Sequence, residues 1–285
     1  MEDVGSRERA GECQNGSVRI AWEQWGASGV PLLLVNGLGS PMVSYEVGLI
    51  QRFVAAGFQV VRFDNRDVGR SSRCVGTKYT LTDMASDALA VLDTVGWDTA
   101  HVLGQSMGGM IVQTLAIEAP ERLRSVTSLM STTGHPDYGR SSKAALAGLL
   151  EVPPSDRDGW LEVRLRTEKL WSSTVIDDPE WNRRKAELLF DYGVDPAGTG
   201  RQYKAVRASG DREAGLREVV LPFLVLHGSV DALLDPSGGR RTAELVPGAR
   251  YVEIDGMGHD MPPNFWARLE TEVAGFVAEV SNDLR

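Results

Sequence analysis

Six short apolar segments that alternate with helical patterns restrict the fold of this chain most strongly. They are Pro31–Val35, Phe58–Phe63, Ala100–Gly104, Val126–Met130, Leu221–Leu226 and Tyr251–Ile254. Segments that are apolar on both faces, rather than strictly alternating, are typical of strands in a parallel sheet covered by helices. We therefore predict an α/β fold in which helices flank a mostly parallel central sheet.

Helical periodicity supports this order of elements. Apolar residues recur at the spacing of one helix face over Thr82–Val95, and Met107–Ala119 has the same pattern. A final helix is predicted over about Asn264–Val280. Near the start of the chain, apolar residues alternate from Val18 to Trp22, which predicts an antiparallel strand that opens the sheet.

One long interval interrupts the alternation of strands and helices. About eighty residues, roughly 135–215, separate the fourth and fifth strands and show helical patterns only. Ordinary connections between a strand and a helix are far shorter. We predict that 135–215 is a helical cap inserted into a sheet-containing core made of 1–134 and 216–285. The alternative is that these helices simply flank the sheet.

Composition excludes several classes of function. The 285 residues carry a net charge of −9 without a basic stripe, so we expect no nucleic acid partner and no anionic membrane partner. The longest nearly apolar run, Val219–Leu226, is far shorter than the roughly 20 residues of a membrane span. The N-terminus has no apolar segment typical of a signal peptide. Cys13 and Cys74 fit neither a disulfide framework nor a metal site, which predicts reduced thiols, no metal and a cytoplasmic location.

A candidate nucleophile lies where the third predicted strand ends. Gly104-Gln105-Ser106-Met107-Gly108 matches G-x-S-x-G at a junction between a strand and a helix, where a nucleophile elbow forms. The N-terminus of the following helix would direct free N–H groups and a positive dipole end toward the same place. We predict Ser106 as the nucleophile and the Met107 N–H as one oxyanion donor.

The second oxyanion donor is expected in the glycine loop after the first parallel strand. That loop is Asn36-Gly37-Leu38-Gly39, and Gly37 frees the backbone to turn, so Leu38 N–H is the predicted donor. The alternative is that the loop glycines only let a helix pack closely against a strand.

A serine needs a base, and the chain has four histidines. His101 begins a strand, and His227 directly follows one, where a structural hydrogen bond is the expected use. His135 begins the predicted cap. His259 lies in a glycine loop between the last strand and the last helix, beside the predicted elbow, and is the predicted base.

The base needs a carboxylate that fixes its tautomer and balances its charge. Asp231 follows the fifth strand at the carboxyl end of the sheet and is the predicted partner. Asp235, Asp255 and Asp260 are the alternatives. The resulting chain order, serine then aspartate then histidine, is the order of α/β-hydrolases.

These motifs resemble the α/β-hydrolase superfamily from about Val18 onward. Within it, the stretches NGLG, DNRDVGRS (Asp64–Ser71), GQSMGG, HGSVD and GMGHDMP are similar to the aclacinomycin methylesterase family of bacterial serine esterases. The resemblance implies removal of a methyl group from an ester of a polycyclic polyketide, without a cofactor. It implies the same nucleophile, base, acid and backbone donors as above. DNRDVGRS is interpreted as scaffolding without a reacting group.

Two departures from the pattern affect the oxyanion loop. The usual histidine before the oxyanion glycine is Asn36 here, which is expected to be harmless because the backbone donates. The loop also lacks an H-G-G-G run, so no special tolerance for bulky tertiary-alcohol esters is expected.

The sequence therefore predicts a cofactor-independent serine hydrolase that cleaves an apolar carboxylic ester of a small molecule. His135 and Trp171 are the predicted substrate contacts in the cap. The same triad could serve a lactone, thioester or amide hydrolase or an acyltransferase. A rival of another class is a non-hydrolytic cyclase or ligand-binding protein on the same fold. The sequence does not distinguish a monomer from a homo-oligomer.

Overall fold

The computed structural model describes residues 6–173 and 178–283. The strands are β1 (Arg7–Asn15), β2 (Val18–Trp25), β3 (Val30–Val35), β4 (Phe58–Phe63), β5 (Ala100–Gln105), β6 (Leu123–Leu129), β7 (Phe223–Gly228) and β8 (Arg250–Ile254). The helices are α1 (Val47–Ala55), α2 (Leu81–Val95), α3 (Met107–Glu118), α4 (Lys143–Leu149), α5 (Arg157–Glu168), α6 (Pro179–Gly193), α7 (Pro196–Ser209), α8 (Glu213–Leu216), α9 (Ser237–Leu245) and α10 (Pro263–Asp283).

The described strands form one mostly parallel sheet in the order β1-β2-β4-β3-β5-β6-β7-β8. β3 through β8 pair in parallel, whereas β2 pairs antiparallel with β4 and β1. The predicted α/β fold with a mostly parallel sheet is confirmed. The prediction that β2 opens the sheet is wrong, because β1 precedes it at the edge. A two-residue turn at Gly16 and Ser17 joins them, and the left-handed φ of +59° at Gly16 suits a tight hairpin.

Helices cover both faces of the sheet, as its apolar strands require. On one face, α2 and α3 pack on residues such as Leu33 and Val61. On the other face, α1 and α10 pack on residues such as Leu32 and Val60. Neighbouring residues of one strand thus serve opposite cores, which is why the strands are apolar without alternation. Within the described ranges, no helix has the length and apolarity needed to cross a bilayer.

The residues between β6 and β7 are helical. Five helices, α4 to α8, and no strand occupy this interval within the described part of the chain. We refer to residues 135–215 as the insert. Its helices α5 and α6 pack against each other and, through Trp160 and Leu189, against Met42 and Val43 of the loop after β3.

Buried side chains of the segment Asp64–Ser71 connect the sheet to the insert. The carboxylate of Asp64 accepts a hydrogen bond from Tyr192 Oη of α6 at 2.9 Å. The carboxylate of Asp67 accepts two from the Arg201 guanidinium of α7, at 2.9 and 2.7 Å. The Arg66 carbonyl accepts one from Gln202 Nε2 at 2.7 Å. Hydrogen bonds to this segment therefore hold α6 and α7 against the core.

Arg66 also forms a bidentate ion pair that supports the core. Its guanidinium donates to Asp87 of α2 at 2.6 and 2.7 Å, and both side chains are buried. Asp87→Ala leaves a buried guanidinium without its counter-charge, which we expect to lower the free energy of unfolding by about 3–5 kcal/mol. Urea denaturation at neutral pH measures this loss.

A matched control is the exposed ion pair between Glu12 and Arg19, in which both side chains are 47% exposed. Glu12→Ala should change the free energy of unfolding by less than about 1 kcal/mol. A loss below 1 kcal/mol in Asp87→Ala would show that the Arg66 guanidinium finds water or another partner.

Candidate active site

Ser106 lies on a sharp turn between the last residue of β5 and the first residue of α3. Its φ of +56° and ψ of −118° are strained for a residue with a side chain. The flanking glycines permit the turn, because a Cβ on Gly104 would lie 2.1 Å from Gly108 O and one on Gly108 would lie 2.0 Å from Val35 O. This is the geometry of the predicted elbow.

A continuous chain of hydrogen bonds joins Ser106 to His259 and Asp231. Ser106 Oγ lies 2.9 Å from His259 Nε2, and His259 Nδ1 lies 2.6 Å from Asp231 Oδ2. Because a carboxylate only accepts, Nδ1 carries the proton and Nε2 is left to accept the proton of Ser106. The structure thus brings together the three residues predicted as nucleophile, base and acid.

The Asp231 carboxylate is held in place by its own loop. Its Oδ1 accepts the N–H groups of Leu233 and Leu234, each at 2.9 Å. Burial acts to raise the pKa of Asp231, but the charge of His259 and hydrogen bonds from His227 and His259 hold the pKa well below its usual range. Asp231 therefore stays ionised at neutral pH and can offset the charge of a protonated His259.

The residues of the two predicted oxyanion donors, Leu38 and Met107, line the same cavity as Ser106. Met107 is the first residue of α3, so its N–H has no acceptor within the helix. The loop that contains Leu38 passes against the nucleophile, since a Cβ on Gly37 would lie 3.2 Å from Ser106 Cβ. The next N–H in that loop, that of Gly39, is already used by Gln202 Oε1 at 2.7 Å. Within this loop, the N–H of Leu38, rather than that of Gly39, is therefore the candidate donor.

A cavity of about 530 Å³ opens onto these groups between the sheet and the insert. Leu38, Ser106, Met107 and His259 all contribute to its wall. The rest of the wall is mixed. Its apolar residues include Met110, Leu146, Leu149, Val206, Leu233, Leu234 and Met261, and its charged residues include Arg164, Glu168, Lys185 and Arg212. The cavity therefore suits a molecule that has both apolar and polar parts.

Both predicted substrate contacts, His135 and Trp171, line this cavity. The His135 side chain is one-third exposed, and its Nδ1 accepts the Asp137 N–H at 3.2 Å. Trp171 is buried, and its carbonyl accepts the backbone N–H of His259 at 2.7 Å. This second contact of Trp171 has no signal in the sequence.

The other two histidines are buried and bond to groups other than Ser106. His101 Nδ1 lies 2.7 Å from Ser125 Oγ, and burial lowers the pKa of His101 to about 4. His227 lies within β7, rather than just after it as predicted. Its Nε2 lies 2.8 Å from Leu234 O and 3.3 Å from Asp231 Oδ2. His227 thereby fixes the loop that carries Asp231.

Sequence reasoning missed two side chains that hold the site. Gln202 of α7 bonds the oxyanion loop, and Asp260, which the sequence offered only as an alternative acid, is turned toward Ser173 of the insert. Within the described ranges, no group of three or more His, Cys, Asp or Glu side chains is arranged to hold a metal ion. Cys13 and Cys74 are both buried free thiols.

Comparison with known proteins places this geometry in a family. Residues 30–263 match the family model described as alpha/beta hydrolase fold. The chain is 35% identical over 261 residues to rhodomycin D methylesterase DnrP of Streptomyces peucetius, covering 81% of this chain and 85% of the relative. It is 34% identical over 259 residues to rhodomycin D methylesterase DauP of Streptomyces sp. strain C5, with the same coverage.

Solved structures show the same fold at lower identity. The esterase RhEst1 from Rhodococcus sp. ECU1013 superposes with a TM-score of 0.80 at 22% identity, covering 95% of this chain and 98% of that one. Sheet order, elbow and family match therefore agree, and the chain belongs to the alpha/beta hydrolase fold family.

Proposed function

We propose that this protein is a cofactor-independent serine hydrolase of carboxylic esters, with Ser106 as nucleophile, His259 as base and Asp231 as its partner. The observation that carries the proposal is the unbroken hydrogen-bond chain from Asp231 through His259 to Ser106 at the wall of a cavity. A serine is activated in this way when a neutral imidazole accepts its proton during attack.

Each step of ester cleavage has a group in the proposed site. Ser106 Oγ bonds to the carbonyl carbon while its proton moves to His259 Nε2, and the oxyanion accepts hydrogen bonds from the N–H groups of Leu38 and Met107. Collapse breaks the bond to the alkoxide, which leaves with the proton from His259. Water then repeats the sequence on the acyl-enzyme, releasing the acid and restoring Ser106.

The insert, residues 135–215, is proposed to act as a cap on a core made of 1–134 and 216–285. It supplies Trp171 and His135 to the cavity wall, and the core supplies the reacting groups. We infer that the cap excludes water and selects the ester.

The proposed substrate is a methyl ester of a polyketide-like small molecule. Two relatives at 34–35% identity are named as rhodomycin D methylesterases, which supports this class. Such a molecule combines an apolar ring system with polar substituents, as the mixed wall of the cavity requires. Release of methanol from a polycyclic methyl ester, set against release of acid from a lactone or thioester of similar size, measures the preference.

A fluorophosphonate probe tests the nucleophile without knowledge of the substrate. The probe phosphonylates only a serine that a base has activated, so we expect one adduct, located on Ser106 by mass spectrometry. His259→Ala should abolish labelling, since the serine proton then has no acceptor. His101→Ala is the control and should label normally, because His101 bonds Ser125 instead. A folded protein that gives no adduct, or an adduct on another serine, would overturn the proposal.

A further inference from the structure

The loop Gly258–Asp260, which presents His259, is bonded to the insert at each of its three residues. Gly258 N–H donates to Ser173 Oγ at 2.9 Å. His259 N–H donates to the Trp171 carbonyl at 2.7 Å. Asp260 Oδ1 accepts Ser173 N–H at 3.0 Å and Ser173 Oγ–H at 2.5 Å. We call these contacts between Trp171–Ser173 and Gly258–Asp260 the clasp.

The two backbones of the clasp touch directly. A Cβ on Gly258 would lie 2.4 Å from Trp171 O and 2.5 Å from Ser173 N, so only glycine fits there. At this separation the insert leaves no room for the loop to move toward it. The position of the His259 backbone is therefore set by the insert as well as by the core.

The hydrogen bonds of the clasp form one connected network around Ser173. Its hydroxyl accepts from Gly258 and donates to Asp260, so both of its hydrogen-bonding roles are used on the residues that flank His259. Ser173 and Asp260 are both buried, 6% and 3% exposed. Bonds in such water-excluded networks hold geometry more firmly than exposed ones do.

Burial of the Asp260 carboxylate costs folding free energy. Among the described residues, no Lys or Arg lies within ion-pair distance of it, although Lys185 and Glu168 are close enough to act on it electrostatically. Burial raises the pKa of Asp260, against the opposing effects of Lys185 and of the bonds from Ser173. Within the described part of the chain, Asp260 is therefore held by its two hydrogen bonds from Ser173 rather than by an ion pair.

We propose that Ser173 and Asp260 are positioning residues, which hold the His259 imidazole between Asp231 and Ser106 by clasping its loop from the insert. The inference rests on the proposed function. The imidazole has to meet Asp231 Oδ2 and Ser106 Oγ at once, at 2.6 and 2.9 Å, and a loop free to shift by an ångström loses one of these bonds. Neither Ser173 nor Asp260 touches the reacting atoms.

Removing either side of the clasp should slow the chemical step. In Ser173→Ala and Asp260→Ala we expect kcat for p-nitrophenyl butyrate to fall about 10–100-fold, with KM within about threefold of wild type. The rate of fluorophosphonate labelling at Ser106 should fall by the same factor. The loss of kcat in the double variant should not exceed the loss in the less active single variant, because the two side chains act through one network.

Conservative variants separate positioning from folding. Ser173→Thr keeps the hydroxyl and Asp260→Asn keeps an acceptor oxygen, so both should stay within a few-fold of the wild-type kcat. Ser209→Ala is the control, since Ser209 also links the insert to the core through its hydroxyl. Ser209 Oγ accepts a hydrogen bond from Leu81 N–H at 2.9 Å, and this bond does not involve the loop of His259. It should leave kcat unchanged.

Two results would overturn the inference. The first is a kcat within twofold of wild type in both alanine variants, with wild type active. The second is an equal loss of kcat in the threonine and asparagine variants that parallels a loss of Tm, which would make the clasp purely structural. If the wild-type protein shows neither turnover nor labelling, the proposed function and the clasp are overturned together. This outcome is distinct from the two results above, in which the wild type is active.

Discussion

Ser106→Ala is expected to lower kcat for ester hydrolysis by about 10⁶, the loss typical of a nucleophile removed from a complete triad. Without Oγ there is no acyl-enzyme, and His259 can at best direct a water that the elbow does not position. The residual rate over water would come from the oxyanion donors and from binding. The strained φ of +56° is the same for alanine, so Tm should change little.

So large a loss is measured in stopped assays at high enzyme concentration. Titration of active serines with the fluorophosphonate probe excludes contamination by wild-type enzyme. The protein offers a matched control, because Ser125 forms a second serine–histidine hydrogen bond, 2.7 Å from His101 Nδ1. Ser125→Ala should keep its kcat. A Ser106→Ala variant that retains ester hydrolysis would contradict the assignment of Ser106 as the nucleophile.

Asp231→Asn should lower kcat by about 10⁴, more than the loss of a hydrogen bond alone explains. Asp231 Oδ1 accepts two backbone N–H groups, from Leu233 and Leu234, so the asparagine oxygen will occupy that position. The amide NH₂ then faces His259 Nδ1 and donates to it. His259 is forced into the tautomer with the proton on Nε2, which cannot accept the proton of Ser106.

A neighbouring variant and the rate of fluorophosphonate labelling check this explanation. Asp255→Asn changes an exposed carboxylate of the loop before His259, which bonds Ser229 Oγ at 3.3 Å, and should leave kcat unchanged. Equal activity of wild type and Asp231→Asn would contradict the assignment of Asp231 as the partner of His259. Fluorophosphonate labelling should slow in parallel with kcat, because both need the same proton transfer.

The parallel sheet was predictable because its strands are apolar on both faces. β4 has the predicted bounds, and β3, β5, β7 and β8 lie within two residues of theirs. β1 could not be found in this way, since eight of its nine residues are exposed or half-buried and six are polar. Its pairing with β2 makes it a strand. β6 begins three residues before the predicted segment, at Leu123.

The candidate triad was also within reach of the sequence. Ser106, Asp231 and His259 all follow strands of a parallel sheet, whose carboxyl ends lie at one edge, so the topology gathers them. Gln202 and Ser173 meet the site from the insert, 163 and 85 positions away from their partners Gly39 and Gly258. Their placement depends on how helices pack on the core, and no local pattern carries that information.

The contacts that Asp64, Arg66 and Asp67 make with α6 and α7 have a consequence for exchanging specificity between relatives. A donor insert grafted onto this core has to bring its own tyrosine, arginine and glutamine at the positions of Tyr192, Arg201 and Gln202. Otherwise the carboxylates of Asp64 and Asp67 and the carbonyl of Arg66 each lose a hydrogen-bond partner at the graft junction. The loss would also release Gly39. Chimaeras that keep these three side chains should accept new cavity walls, whereas chimaeras that discard them should fail before any substrate is tried.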